Sequence, residues 1–321
     1  MGGMEPTFID LFAGIGGMRM AFERAGCRCV FGSEWNRFSQ KTYAANFGDT
    51  PAGDITKVEA SSIPDHGILV GGFPCQPFSQ AGVSKRISLG RAHGFADETQ
   101  GTLFFEIVRI LRAKKPAVVV LENVKNLVRH DKGHTMATVM LALGELGYHA
   151  KHRIMDSAGY VPQHRERVFI VGFLDEDACA RFSFPEPADD GRRLKDVLET
   201  NVPDKYTLKD GTWACLRRHA DRHREKGNGF GYWVADVEGF SRTLVARYYK
   251  DGAQILIPQD GKNPRRLTPR ECARLQGFPE SFVIPVSDGQ AYRQFGNSVA
   301  VPLVEELARR VVGAIKGRTD P

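Results

Sequence analysis

Short apolar runs alternate along the chain with stretches in which apolar residues recur at helical spacing. Thr7 to Phe12 is an apolar run ending at Gly14-Ile15-Gly16-Gly17. Met18, Met20, Ala21, Phe22 and Ala25 then repeat as one face of a helix, stopped by Gly26. Cys29 to Phe31 reads as a second strand, followed by a helix over Asn36 to Asn46. Ile68 to Val70 is a third buried strand, running into Gly71-Gly72-Phe73-Pro74-Cys75. Thr102 to Ala113 places Leu103, Ile107, Ile110 and Leu111 on one helical face. Ala117 to Leu121 is a β-branched strand, Thr135 to Leu146 a helix, and Arg167 to Phe173 a further strand. Apolar strands alternating with helices predict an α/β fold with a mostly parallel sheet covered on both faces.

The alternation breaks near Pro185-Glu186-Pro187. From there to about Arg266 the chain is rich in Gly, Arg, Tyr and His and weakly periodic, which predicts a separate, smaller, β-rich domain. Thr268-Pro269-Arg270-Glu271 is a capping box with proline at the first helical position, and Gly277-Phe278-Pro279 ends that helix. Val301 to Ile315 is an amphipathic helix able to return to the sheet. The expected division is 1–188, 189–285 and 286–321.

Charge sharpens this division. The net charge is +6, yet Gly191 to Arg270 alone carries +7, so the remainder is close to neutral at −1. A basic insert on a neutral body suits a polyanion-binding module, and equally a solvated basic face. The six cysteines form no CxxC pair, and no metal site is predicted. No run is long and apolar enough to span a membrane, and the first ten residues lack a secretion-signal pattern, which sets a cytoplasmic expectation. No oligomerisation stripe stands out, so a monomer is expected.

Two sets of residues carry candidate chemistry. At the first, the Gly-rich turn after the first strand lets backbone approach a ligand closely, though it serves equally as a tight strand–helix turn. Glu34, 20 residues beyond Gly14 and just past the second strand, is placed to accept hydrogen bonds from two ribose hydroxyls. Trp35 offers a stacking surface for adenine, and Asp54 an acceptor for its amino group. Each acid alone is more often a cap; together, at successive strand ends and without a long phosphate cradle, they favour S-adenosylmethionine over a dinucleotide. At the second, Cys75 is bracketed by Pro74 and Pro77, a stiff loop able to aim a thiolate where open sheets bind ligands. Glu122 follows the Ala117–Leu121 strand and would share that sheet edge, able to protonate a ring nitrogen if its pKa is raised. Arg165 and Arg167, two apart, point to one side and could hold a base oxygen, a phosphate or a carboxylate.

These segments together resemble the DNA cytosine-5 methyltransferase family. The matching stretches are Phe8-Ile9-Asp10-Leu11-Phe12-Ala13-Gly14-Ile15-Gly16-Gly17, Gly72-Phe73-Pro74-Cys75-Gln76-Pro77-Phe78-Ser79, Glu122-Asn123-Val124, Gln163-His164-Arg165-Glu166-Arg167, Arg266 to Leu275, and Gln294-Phe295-Gly296-Asn297-Ser298-Val299. The resemblance implies a Rossmann-like sheet of class I S-adenosylmethionine methyltransferases, with 1–188 catalytic and cofactor-binding, 189–285 recognising the target, and 286–321 returning to the catalytic part. It implies attack by Cys75 on C6 of an everted cytosine, with Glu122 at N3, Arg167 at O2 and Arg165 in support. For the cofactor it implies Phe12, Gly14, Gly17, Glu34, Trp35, Asp54, Pro74, Leu103 and Asn297. For double-stranded DNA it points to Ser79, Lys85 and Arg86 in the loop after Cys75, and to Arg242, Thr243, Arg247, Tyr248 and Lys250 in the insert. The insert is similar to that of bacterial members that modify CCWGG- or CCGG-type palindromes, which implies a possible cognate restriction endonuclease. A relative acting on transfer RNA would share the chemistry, and the basic insert favours duplex DNA.

Overall fold

The computed structural model describes residues 5–74, 103–187 and 189–317. Cys75, Ser79, Lys85 and Arg86 lie outside the described residues. Six strands form the central sheet: β1 (Thr7–Leu11), β2 (Arg28–Ser33), β3 (Ile68–Gly72), β4 (Val118–Val124), β5 (His149–Asp156) and β6 (Glu166–Phe173), in the order β2-β1-β3-β4-β6-β5. β2, β1, β3 and β4 run parallel, whereas β6 is antiparallel to both β4 and β5.

Alternate residues on each strand enter two apolar layers, as a strand's period of two requires. Phe8, Ile68, Val70, Val118, Val120, Phe169 and Val171 face one layer; Ile9, Leu69, Val119, Leu121, Val168 and Ile170 face the other. The second layer is completed by α3 (Leu103–Lys114) and α4 (His134–Glu145). The first holds α1 (Gly17–Arg24), α5 (Glu176–Arg181) and the C-terminal helix Val301–Ile315. Among the described residues the remaining α-helices are α2 (Arg37–Phe47), α6 (Asp210–Glu225), α7 (Pro269–Leu275) and α8 (Asp288–Asn297), which makes Val301–Ile315 α9. The capping box forms as expected: Thr268 Oγ1 accepts from Glu271 N, and Thr268 N donates to the Glu271 carboxylate.

The insert departs from the sequence expectation in two ways. It is not β-rich: among its described residues the named strands are β7 (Leu256–Ile257) and β8 (Arg265–Arg266), and the longest element is the helix α6. The sequence Asp210–Glu225 is built mostly of helix-compatible residues but buries none of them, so it carries no strong apolar stripe. Nor does the insert own a separate core, because Leu194, Val197, Leu244, Tyr248, Ile255 and Ile257 belong to the same apolar layer as α1 and α9. Within it, the buried Arg265–Glu271 pair ties β8 to α7 with two hydrogen bonds of 2.8 Å. Among the described residues, no helix is long and apolar enough to cross a membrane.

Candidate active site at the sheet edge

The carboxyl ends of β1 to β4 and the amino end of the reversed β6 meet along one edge. A cavity of about 660 Å³ opens there, bounded on its far side by the insert and α8. Register decides which side chains enter it. Glu122 lies opposite Gly72 on β3 and Phe169 on β6, and shares the face of Val118 and Val120. Gly72 leaves the carboxylate room, since a Cβ there would lie 3.2 Å from Glu122 Oε2. Arg167 enters from the reversed strand, with Nε 3.1 Å from Glu122 Oε1 and side-chain exposures of 16% and 12%. Burial pushes the Glu122 carboxyl above its ordinary value; the two nearby guanidiniums oppose this only in part. Burial likewise lowers Arg167, with Glu122 opposing. Asn123 Nδ2 donates to Phe73 O at 2.8 Å, tying the segment just past β3 to the end of β4. Pro74, the residue before Cys75, lines the cavity with Glu122 and Arg167.

Arg165 is the most heavily committed side chain in the site. Only 2% exposed, it donates to Leu244 O at 2.8 Å, Gly296 O at 3.0 Å and Ser298 O at 2.5 Å. Its guanidinium therefore joins three chain segments: the amino end of β6, the insert and the end of α8. Gln163 reinforces the joint, accepting from Leu244 N and donating to Leu275 O, while Thr243 Oγ1 donates to His164 O.

At the other end, Phe12 holds a left-handed backbone (φ +59°), a conformation uncommon for a non-glycine residue, just before the Gly14 turn. Gly14 N donates to Glu34 Oε2 at 2.8 Å and Asn36 N to Glu34 Oε1 at 2.7 Å. The carboxylate is thus fixed across the β1 and β2 ends, 7% exposed, and burial pushes it upward in pKa. Trp35 beside it is 78% exposed. Gly17 admits the C-terminal segment: a Cβ there would stand 2.7 Å from Ser298 Oγ. Phe12, Gly14, Gly17, Glu34, Trp35, Pro74, Leu103 and Asn297 all line the cavity, as do Glu122, Arg165 and Arg167.

Other expected residues fall elsewhere. Asp54 is not in the lining; it caps a short turn, accepting from Thr56 N and Oγ1, beside the β2 end where Ser33 Oγ donates to Gly53 O. Arg247 lines the cavity. Arg242 is exposed with its guanidinium over the Trp233 ring, and Lys250 is exposed past the turn Ala246–Tyr249. Tyr248 is a correction to the expected DNA contacts. It is fully buried, its hydroxyl donating to Ile255 O and accepting from Leu267 N, because the turn that exposes Arg247 directs the next side chain into the core. Tyr249, Gln290 and Arg293 also line the cavity. Sequence reasoning missed them; the one available signal was that Gln290 and Arg293 fall on the helical face of Asn297.

The doubly covered sheet, with an anchored acid at the β2 end and a Glu–Arg pair at the β4 end, has the class I methyltransferase fold. The family described as C-5 cytosine-specific DNA methylase matches residues 6–313, and the chain belongs to it. The chain is 51% identical over 312 residues to the Type II methyltransferase M.SsoII of Shigella sonnei, covering 96% of this chain and 80% of that protein. It is 50% identical over 317 residues to the Type II methyltransferase M.NlaX of Neisseria lactamica, covering 97% and 98%. The solved S. pombe Dnmt2 methyltransferase has the same fold, with a TM-score of 0.75 over 97% of this chain and 99% of that one at 20% identity.

Proposed function

We propose that the protein transfers a methyl group from S-adenosylmethionine to C5 of a cytosine everted from a short palindromic duplex site, of CCWGG or CCGG type. The observation that carries this reading is the Glu122–Arg167 pair in the cavity beside Pro74, the residue preceding Cys75. An acid paired with a guanidinium matches the N3 and O2 edge of cytosine, one partner supplying a proton and the other accepting none.

The residues at the β1–β2 end fit the cofactor. Glu34 is held by two backbone N–H groups and still has lone pairs for ribose hydroxyls. Trp35 offers an exposed ring, and α1 begins at the cavity with no side-chain cap and no acid in its first turn, an electropositive end for a carboxylate. When bound, S-adenosylmethionine supplies an electrophilic methyl group. The protein's own part is to activate the ring. Cys75 as thiolate adds to C6, forming a carbon–sulfur bond, while Glu122 holds a proton at N3 and Arg167 steadies O2. Charge then accumulates at C5. With C5 methylated, loss of the C5 proton to water, departure of Cys75 as thiolate and return of the N3 proton to Glu122 restore the aromatic ring. The base must leave the stack, because the attack is on its face.

The Type II names of the relatives support a cognate restriction endonuclease acting on the same site, and the reading assigns catalysis and cofactor binding to 1–188, target recognition to 189–285 and the return to the catalytic part to 286–321. The test uses a duplex carrying 5-fluorocytosine at the target with S-adenosylmethionine present. Fluorine cannot leave as a cation, so the wild-type protein is expected to stay covalently attached and Cys75→Ala to form no adduct. Methylation of transfer RNA with none of duplex DNA, or undiminished activity of Cys75→Ala, would overturn the reading.

A further inference from the structure

Two arginines in the cavity wall have no partner of opposite charge among the described residues. Glu34 is held by backbone amides, Glu122 pairs with Arg167, and Arg165 is spent on three carbonyls. Arg247 and Arg293 are exposed, line the same cavity, and form no ion pair among the described residues. Arg293 is nevertheless fixed in place. Its Cζ lies 4.0 Å from the centroid of the Tyr249 ring, the closest such contact among the described residues. A stacked guanidinium keeps its plane and leaves its N–H edge free.

Both halves of this pair are rigidly mounted. Tyr249 ends the turn Ala246–Tyr249, whose preceding backbone packs directly on Gly296; a Cβ there would lie 2.4 Å from Ala246 N. Arg293 stands on α8, and Gln294 beside it binds α2 through Thr42 Oγ1 and Phe38 O. The stack therefore bridges the insert and α8 at the cavity wall, one helical turn from Asn297.

On the proposed reading that a cytosine is everted into this cavity, we infer that Arg293, held by Tyr249, is a phosphodiester clamp for the backbone flanking the everted nucleotide. A planar guanidinium with a free edge matches two phosphate oxygens. Eversion brings the nucleotide's phosphates to the pocket rim, where the exposed edges of Arg293 and Arg247 stand. The cofactor's carboxylate is the other anion that could meet a guanidinium. Arg293 stacks on a residue of the insert rather than on the β1–β2 turn, which favours the phosphate.

The experiment measures duplex affinity against salt, and KM for DNA and for S-adenosylmethionine, in wild type, Arg293→Gln, Arg293→Lys and Tyr249→Phe. For Arg293→Gln the expected result is a slope of log K against log salt shallower by about 1, about tenfold weaker DNA binding and an unchanged cofactor KM. Arg293→Lys regains the slope, and Tyr249→Phe, which keeps the ring, stays near wild type. A neutral methylphosphonate beside the target should weaken wild-type binding and leave Arg293→Gln unaffected. A raised cofactor KM with an unchanged DNA slope would reassign Arg293 to the carboxylate and overturn the clamp. Unchanged binding of both ligands with a lowered Tm would reduce the stack to packing and also overturn it. Failure of wild type to methylate duplex DNA sinks the functional reading instead, so the two failures are separable.

Discussion

The sheet edge and the insert reach the same cavity by opposite means. At the edge, side chains are aimed by strand register: Glu122 faces the cavity because it is two residues on from Val120, and Arg167 because β6 runs backward past β4. The insert has little ladder to rely on, with two strands of two residues each, and is aimed by buried side chains that bind backbone. Arg165, Gln163 and Tyr248 do there what hydrogen-bonded strands do at the edge. A register-built site carries its aim in the backbone, so one side chain there can change with limited cost to the fold. An anchor-built segment carries its aim in a few side chains, so changing one is felt as stability. Chemistry and architecture should therefore separate by region.

The largest effect tests the edge. Glu122→Gln should lower kcat by about 10²- to 10⁴-fold, the usual contribution of a positioned acid, with little change in KM for DNA. The pH profile gives the sign. Burial raises the Glu122 pKa, and the group must be protonated to serve N3. Raising pH strips that proton, so wild-type kcat should fall on the alkaline side and the residual activity of Glu122→Gln should lack this limb. The next effect tests the joint. Arg165→Met keeps the bulk but leaves the carbonyls of Leu244, Gly296 and Ser298 without their donor, at a cost of about 3 kcal/mol in urea-midpoint measurements. Arg167→Met, two residues further along the chain and on β6, should lose turnover with a much smaller stability change. Equal destabilisation by the two variants would erase the distinction between aiming by register and aiming by anchor.

The same contrast explains what the sequence discloses. Parallel strands buried on both faces are continuous apolar runs closed by Gly or Pro, so β1, β3 and β4 and the residues at their ends are readable. β5 is not, because it is an edge strand: His149, Lys151, His152 and Ile154 are exposed and mask its periodicity. α6 escapes notice for a related reason, having no buried face to write an apolar stripe. The reversal of β6, which carries Arg167 to Glu122, is a matter of strand direction, which residue types do not encode. The Tyr249–Arg293 stack joins residues 44 apart in different segments, and only tertiary structure unites them. In the insert, residue type alone cannot tell an anchor from a reader. Arg247 and Tyr248 are neighbours with opposite fates, one exposed to the cavity and one sealed in the core.

Tyr248 gives the smallest and most discriminating test. Its hydroxyl bridges Ile255 O and Leu267 N, each at about 2.7–2.8 Å, and its ring meets Tyr292 edge-on at a centroid distance of 5.2 Å. Tyr248→Phe keeps the ring and removes only the oxygen. The Leu267 N–H and the Ile255 carbonyl would then sit buried with no partner, costing about 1–3 kcal/mol. Thermal or urea unfolding should show this loss, while duplex affinity and its salt slope stay at wild-type values. A tyrosine that contacts DNA would give the reverse: unchanged unfolding and weakened binding. That outcome would place Tyr248 among the DNA contacts and break the claim that the insert is aimed from its core, since the anchor between β7 and β8 would carry no stability.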